Sequence, residues 1–407
     1  MWLNEATPVQ KRALLAASLG WMLDSMDILL YSMVLAYMMR ELGMTQGTAG
    51  LMASLTLGAS AFGGIIFGIL ADRFGRARAM MTSILIYSVF TAACGMAQSV
   101  FQLAVFRVFL GLGMGGEWAC GAALVGETWP SRHRGKAFGV MQSSWAIGYG
   151  LAAALTWVVL PRFGWRAVFF AGILPALVAL WIFLYVPEPE IWQRSKRQAG
   201  GQSTMAGLVA LWRGEYRRHL IVTTVANAGT MFAWWGLFTW IPPYLSLPVE
   251  RGGAGLDIMR TSTWIILMQV GTWLGYVSFG FISDWIGRKR TYVGYIFIAA
   301  ALVPLYAGTR NPLALLFIGP LVGFFGTGYF SGFGAITAEL FPTAVRASAQ
   351  GLTYNLGRGV SAAAPFLIGA LGSRLGLGSA FLLTAGSFLL AGLVALMIPE
   401  TQGRELT

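Results

Sequence analysis

Charged residues are scarce in this 407-residue sequence: 11%, against about 25% in an ordinary soluble domain. Acids are scarcer still, with 16 Asp+Glu against 28 Lys+Arg, while 57% of the residues are hydrophobic. A water-soluble protein is excluded. No large water-soluble domain fits between the apolar runs, so a soluble enzyme carrying one anchor is excluded as well. Cysteine is nearly absent. Cys94 and Cys120 both lie in apolar stretches and offer neither metal-ligand spacing nor a disulfide framework. The two histidines, His133 and His219, fall at loop edges, and the sequence has no nucleotide loop, His/Glu metal cluster or Ser/His/Asp set. An enzyme is not expected, nor a metal or cofactor.

What is present is hydrophobic length. Mean hydropathy is +0.66 along the whole chain, and a spanning helix needs about 20 mostly apolar residues. Twelve such segments can be marked, at 13–39, 48–71, 79–97, 100–126, 137–160, 165–186, 219–245, 261–283, 291–308, 312–338, 347–371 and 377–398. The first run is long enough to span and no small-residue cleavage site follows it, so it is expected to remain as a span.

The net charge of +12 sits in short clusters between spans rather than on one exposed face. That pattern matches cytoplasmic loops and argues against a nucleic-acid partner. With the N-terminus inside, 19 of the 28 Lys+Arg become cytoplasmic, which predicts both termini in the cytoplasm. The expectation is an all-α multi-pass protein of a plasma or bacterial inner membrane, its partner surface the lipid bilayer. It divides into a six-helix bundle at 1–186, a cytoplasmic linker at 187–218 holding the longest polar stretch, and a second six-helix bundle at 219–407.

The two bundles repeat one another. Gly68 to Arg76 (GILADRFGR) returns as Gly280 to Arg288 (GFISDWIGR), a shift of 212 residues. Glu127-Thr128-Trp129-Pro130 with Arg134 returns as Glu339-Leu340-Phe341-Pro342 with Arg346, and Pro187-Glu188 returns as Pro399-Glu400, at the same shift. Parallel halves of this kind, related by an axis along the membrane normal, are a transporter architecture.

These residues carry a resemblance. The loop between spans 2 and 3, its echo between spans 8 and 9, and Arg107-x-x-x-Gly111-x-Gly113-x-Gly115-Gly116 in span 4 resemble signatures of the major facilitator superfamily over essentially the whole chain. Within it, Asp24-Ser25-Met26-Asp27, Gly115-Gly116-Glu117-Trp118, Gly164-Trp165-Arg166 and Pro187-Glu188-Pro189-Glu190-Ile191-Trp192 resemble the metabolite:proton symporters, such as sialate, lactate/pyruvate and aromatic-acid carriers. The resemblance implies that the repeated loop holds the halves together in the outward-facing state. Asp72, Arg73 and Arg76 with Glu127, and Asp284 and Arg288 with Glu339 and Arg346, are then the gating residues. It also implies that a span 1 acid meets a span 4 base, and that spans 1, 4, 7 and 10 line the path.

Buried charge points to the chemistry, because an ionisable group at mid-membrane costs about 2.5–3.5 kcal/mol or more and usually serves a substrate or proton path. Asp24 and Asp27 lie near the middle of span 1 on one helical face. Two carboxylates so close cannot comfortably both ionise, so one can carry a proton. Glu117, in span 4, is a further candidate for proton coupling. Arg107 lies about 15 Å from it along the helix and some 80° around it, so each needs another partner. Arg358, about 18 Å into span 11 from Arg346, has no acid at comparable depth in its own half. A guanidinium in that position asks for a carboxylate, its natural bidentate partner.

Asn355, Tyr354, Asn227, Trp234, Gln142 and Tyr329 are candidates to line a binding cavity with Arg358 and Arg107. Trp235, Trp240, Tyr149 and Tyr31 are weaker ones, since aromatics also gather at membrane interfaces. The expected function is symport of a small organic anion, a carboxylate, with protons, by alternating access in a monomer. A proton-coupled drug or metabolite antiporter is the alternative. Such antiporters usually carry a Gly-Pro kink in span 5, and Gly148-Tyr149-Gly150-Leu151 has no proline.

Overall fold

The computed structural model describes residues 5–190, 192–193, 212, 214–341 and 343–402. Among the described residues the regular structure is all helical. The first helix, α1 (Pro8–Glu41), opens with a capping box: the Gln10 N–H donates to Thr7 Oγ1 at 3.2 Å and the Thr7 N–H to Gln10 Oε1 at 2.9 Å. Then follow α2 (Gln46–Phe74), α3 (Arg76–Cys94), α4 (Val100–Thr128), α5 (Ser131–Phe170) and α6 (Pro175–Tyr185). After the polar stretch come α7 (Gly214–Phe238), α8 (Ile241–Ser246), α9 (Ile258–Ile286), α10 (Arg288–Gly308), α11 (Pro312–Gly328), α12 (Phe330–Leu340), α13 (Thr343–Ser361), α14 (Ala363–Leu375) and α15 (Leu377–Ala395). The expected linker falls mostly outside the described residues.

Ten stretches are long and apolar enough to cross a membrane. One of them, Lys136–Tyr185, has 50 residues, roughly 75 Å of helix and more than twice the hydrocarbon thickness. It is broken at Gly164, whose φ of 77° and ψ of 175° turn the chain, and so it makes two crossings. Residues 343–375 make the twelfth. Their helix α13 carries Tyr354, Asn355 and Arg358, too polar to register as a span on hydropathy. The twelve-helix membrane fold is thus the one expected.

The helices gather into two compact units, one of Met1–Thr45, Met52–Gly200 and Ile258–Ile266, the other of Gln46–Leu51, Gly201–Asp257 and Leu267–Thr407. The sequence repeat reappears as repeated geometry. Ser99 caps α4 and Asn311 caps α11 with side-chain oxygens that accept from the first-turn amides. Gly164 and Gly376 both turn the chain at positive φ. Gly63 packs on the Leu112 carbonyl as Gly275 packs on the Phe324 carbonyl, so closely that a Cβ at either position would overlap that oxygen. Each of these pairs is 212 residues apart. The match starts at Gln46 and Ile258, because residues 42–45 join α1 to α2 whereas 247–257 join α8 to α9.

Candidate functional site

In the first unit α1 lies hard against α5. The Gly148 backbone meets the Met22 carbonyl, the Ser25 hydroxyl donates to the Trp145 carbonyl at 2.8 Å, and the Trp21 and Trp145 rings sit 4.5 Å apart. This contact turns the acidic face of α1 toward α3 and α4. Asp24, Asp27, Glu117 and Arg107 are all at most 1% exposed. Glu117 extends to the backbone of Gly20, where a Cβ would strike its carboxylate. The Tyr87 phenol on α3 lies within electrostatic reach of Asp24, Asp27 and Glu117. Asp27 approaches Gly172, in the short turn between α5 and α6, and among the described residues neither of its oxygens has a hydrogen bond that meets ordinary geometry.

Arg107 does not pair with the acids. Its guanidinium stacks on the Tyr31 ring, 4.2 Å from Cζ to centroid, and its Nε and Nη1 have no hydrogen-bond partner among the described residues. The expected meeting with a span 1 acid is replaced by a cation–π contact with the same helix, one turn beyond Asp27. Cys94 stands within reach of both Arg107 and Asp27.

In the second unit Arg358 is 2% exposed and belongs to the last turn of α13, where the helix dipole favours a cation. The helix breaks at Ala362, and Pro365 beyond it has no N–H to continue the ladder. The Arg358 Cζ lies 5.8 Å from the Tyr354 ring centroid, and among the described residues it makes no ion pair.

Several expected cavity residues hydrogen-bond to neighbouring helices. Asn227 Nδ2 donates to the Thr353 carbonyl at 3.1 Å, Trp234 Nε1 to Thr327 Oγ1 at 3.3 Å, and the Tyr329 hydroxyl to the Thr230 carbonyl at 3.2 Å. All three are buried, where a donor must find an acceptor. Tyr354 and Asn355 are half-buried, as is Gln142 of the first unit, which accepts from Trp118 Nε1 at 3.2 Å.

The repeated loops form ion pairs inside their own units. Arg76 donates to Glu127 Oε1 from Nε at 3.1 Å and from Nη2 at 2.9 Å. Arg288 pairs with Asp284 at 2.7 Å and reaches Glu339 at 3.7 Å. Arg73 stacks over the Phe74 ring. The side chains of Asp72 and Arg346 lie outside the described residues.

Sequence reasoning did not anticipate the second acid in each loop. Glu188 accepts from the backbone amides of Arg76 (2.6 Å), Ala77 (3.2 Å) and Arg78 (3.1 Å), and Glu400 from those of Arg288 (2.9 Å) and Lys289 (3.4 Å). Each carboxylate caps a helix N-terminus from far along the chain. Partial burial pushes the Glu400 carboxyl up, but the amides of Gln402, Lys289, Thr401 and Arg288 outweigh it and hold the group below the usual carboxylate range. Gly75 (φ 119°) and Gly287 (φ 108°) precede these helices, and a Cβ at either would occupy the space of the capping carboxylate. The signal was the shared Pro-Glu at the repeat distance.

A twelve-helix membrane protein in two similar halves, each with this loop and cap, now meets an independent finding: the Major Facilitator Superfamily model matches residues 15–256 and 252–406. The chain belongs to that superfamily. It is therefore a multi-pass membrane transporter and not an enzyme. It is 33% identical to a sialic acid transporter of Escherichia coli over 98% of this chain and 96% of that one. It is 32% identical to a cis,cis-muconate transport protein of Acinetobacter baylyi over 96% of this chain and 95% of that one. The crystal structure of a D-xylose-proton symporter shares the fold, with a TM-score of 0.76 and 16% identity across 98% of this chain and 100% of that one.

For a member of this superfamily the aromatic surroundings of the second unit are also informative. Trp234 stacks on Phe238 at 4.9 Å, Tyr329 lies tilted against Phe330 at 4.6 Å, and Tyr292 meets Tyr329 edge-on at 6.0 Å. Phe238, Phe330 and Tyr292 were not singled out by sequence, because an aromatic in an apolar span carries no pattern that separates a site from packing.

Proposed function

We propose that this transporter moves a small organic anion, a carboxylate, together with protons. The observation that carries the reading is Arg358: a buried guanidinium in the second unit with no carboxylate partner among the described residues. Leaving such a charge unmatched is costly, and a substrate carboxylate supplies the missing bidentate acceptor. Support comes from the relatives, since cis,cis-muconate and sialic acid are both carboxylates. The proton role falls to the first unit. Three carboxylates enclosed there with one guanidinium cannot all stay ionised, and protonation relieves the excess negative charge. Asp27 is the favoured carrier, with Asp24 and Glu117 beside it. The bundles at 1–186 and 219–407 then act as the two moving halves, and the Arg76–Glu127 and Arg288–Glu339 pairs brace the loops that gate them.

Uptake into proteoliposomes tests this directly. A labelled panel of muconate, benzoate, lactate and sialic acid, with a cationic drug as control, is presented with and without an inward proton gradient. Gradient-driven accumulation of at least one acid, abolished by a protonophore, is expected. Uptake of the cation alone, or acid uptake indifferent to the gradient, overturns the reading.

A further inference from the structure

At one end of the second unit, the end of α9, the start of α10 and the residues after α15 line an open cavity of about 670 Å³. It is lined by the apolar side chains of Ile286, Val293 and Leu396 and by the basic ones of Lys289 and Arg290. Gly294 leaves the floor open, since a Cβ there would meet nothing within 4 Å. Among the described residues neither Lys289 nor Arg290 makes an ion pair, although Arg288 beside them is doubly paired. The acid in the cavity, Glu400, is occupied by the amides at the start of α10. The charge asymmetry of the sequence assigns this end to the cytoplasm.

We propose that this cavity binds the headgroup of an anionic phospholipid of the cytoplasmic leaflet. The phosphate would lie between Lys289 and Arg290, and an acyl chain would follow the Ile286, Val293 and Leu396 wall into the bilayer. Ammonium and guanidinium groups both suit a phosphate oxygen, and basic pockets between spans on this face are suited to acidic headgroups. Snorkelling alone would place basic residues at span ends in both units without preference. The repeat serves as an internal control. At a distance of 212 residues, Lys289 corresponds to Ala77, Gly294 to Thr82 and Gln402 to Glu190, while Arg290 and Glu400 correspond to Arg78 and Glu188. The first unit therefore has one base fewer, one acid more and a side chain where the floor is open. This inference does not depend on which substrate is carried or on proton coupling.

Delipidated full-length protein, titrated with phosphatidylglycerol or phosphatidylcholine and read by native mass spectrometry, tests it. One tightly held phosphatidylglycerol is expected, with phosphatidylcholine bound at least tenfold more weakly. Lys289→Gln with Arg290→Gln should weaken the anionic lipid roughly 30-fold, as two charges near a membrane surface allow. Gly294→Leu keeps every charge but fills the floor, and should also expel the lipid while eluting as a folded monodisperse protein. Equal retention of the two lipids, or unchanged phosphatidylglycerol binding in both variants, overturns the proposal. Displacement of the lipid by millimolar inorganic phosphate overturns it too, because the acyl chain would then contribute nothing.

Discussion

The two units share a scaffold and differ in where they keep charge. Loop, helix caps, turning glycines and glycine–carbonyl contacts recur at a fixed distance, yet the buried ionisable groups do not. Arg107 corresponds to Gly319, Glu117 to Tyr329, and Arg358 to Ala146. The opening span of the second unit has no Asp, Glu, Lys or Arg from Leu220 to Phe238, where that of the first holds Asp24 and Asp27. Continuity differs as well. The helices α1 and α4 run unbroken for 34 and 29 residues. The corresponding spans of the second unit break between Phe238 and Ile241, before the Pro242-Pro243 pair, and at Tyr329, the counterpart of Glu117. The first unit thus presents charged side chains on unbroken helices. The second presents Arg358 beside the Tyr354 ring and an interrupted backbone, whose freed polar groups are tolerated at membrane depth only inside protein or beside a cavity. Duplication supplied the frame, and divergence redistributed the buried charge; under the proposed function the first unit handles protons and the second holds the substrate.

That division is open to attack from both sides. The largest effect is expected at Arg358. Arg358→Ala should weaken anion binding at least about 30-fold, the range for truncating one partner of a buried charge pair, and Arg358→Lys should not restore it, because the planar fork is lost. Ala146→Arg, which puts a guanidinium at the equivalent place in the first unit, should not rescue Arg358→Ala. Rescue, or near-normal affinity of purified Arg358→Ala in equilibrium binding, breaks the assignment of substrate to the second unit.

Asp27→Asn comes next. It imitates the protonated carboxyl, so exchange of labelled for unlabelled anion should continue while accumulation against a gradient falls to none. If Asp27→Asn still concentrates substrate, coupling moves to Asp24 or Glu117, whose Asn and Gln variants are then compared in the same vesicles.

The shared scaffold predicts equal effects. Gly75→Ala and Gly287→Ala each force a Cβ onto a positive φ and into a capping carboxylate, a strain of about 1–3 kcal/mol. Thermal melts in detergent should show losses of similar size for both. A loss confined to one would show that the loops are not mechanically equivalent.

The smallest effect concerns pH. The Glu400 carboxyl is held below its ordinary value in the folded protein. Its contribution to stability is therefore present above the unfolded value near 4.3 and fades as pH falls through the lower folded one. Glu400→Gln should remove that part of the acid dependence of the melting temperature below about pH 4.5 and change little at pH 7. An identical acid limb in wild type and Glu400→Gln would mean that the cap is not charged.

Much of this organisation was legible in the sequence. Apolar run length marked the twelve crossings, and a fixed repeat distance joined Gly75 to Gly287 and Glu188 to Glu400 before any contact was known. Residue count along a helix placed Asp24, Asp27, Glu117, Arg107 and Arg358 at depth, because rise per residue is constant. Partners were not legible. Nothing local distinguishes Arg107 over the Tyr31 ring from Arg107 beside Asp27, since both candidates lie on one helix a turn apart and the rotation of α1 against α5 chooses between them. Likewise Glu188 and Glu127 are both acids within reach of the first loop in principle, and only folding assigns one to the α3 amides and the other to the Arg76 side chain.

The sequence by itself determined the membrane-spanning class, the number of crossings, the duplicated frame and which charges must be buried, because these follow from solvation and helical geometry, which are local. Tertiary structure alone decided which buried group meets which: that Asn227, Trp234 and Tyr329 direct their donors to neighbouring helices, that Arg358 sits near a helix break beside Tyr354 with no acid paired to it among the described residues, and that Lys289 and Arg290 border an open cavity. Such pairings depend on the rotation and approach of helices distant in the chain, and the packing of the whole bundle sets those.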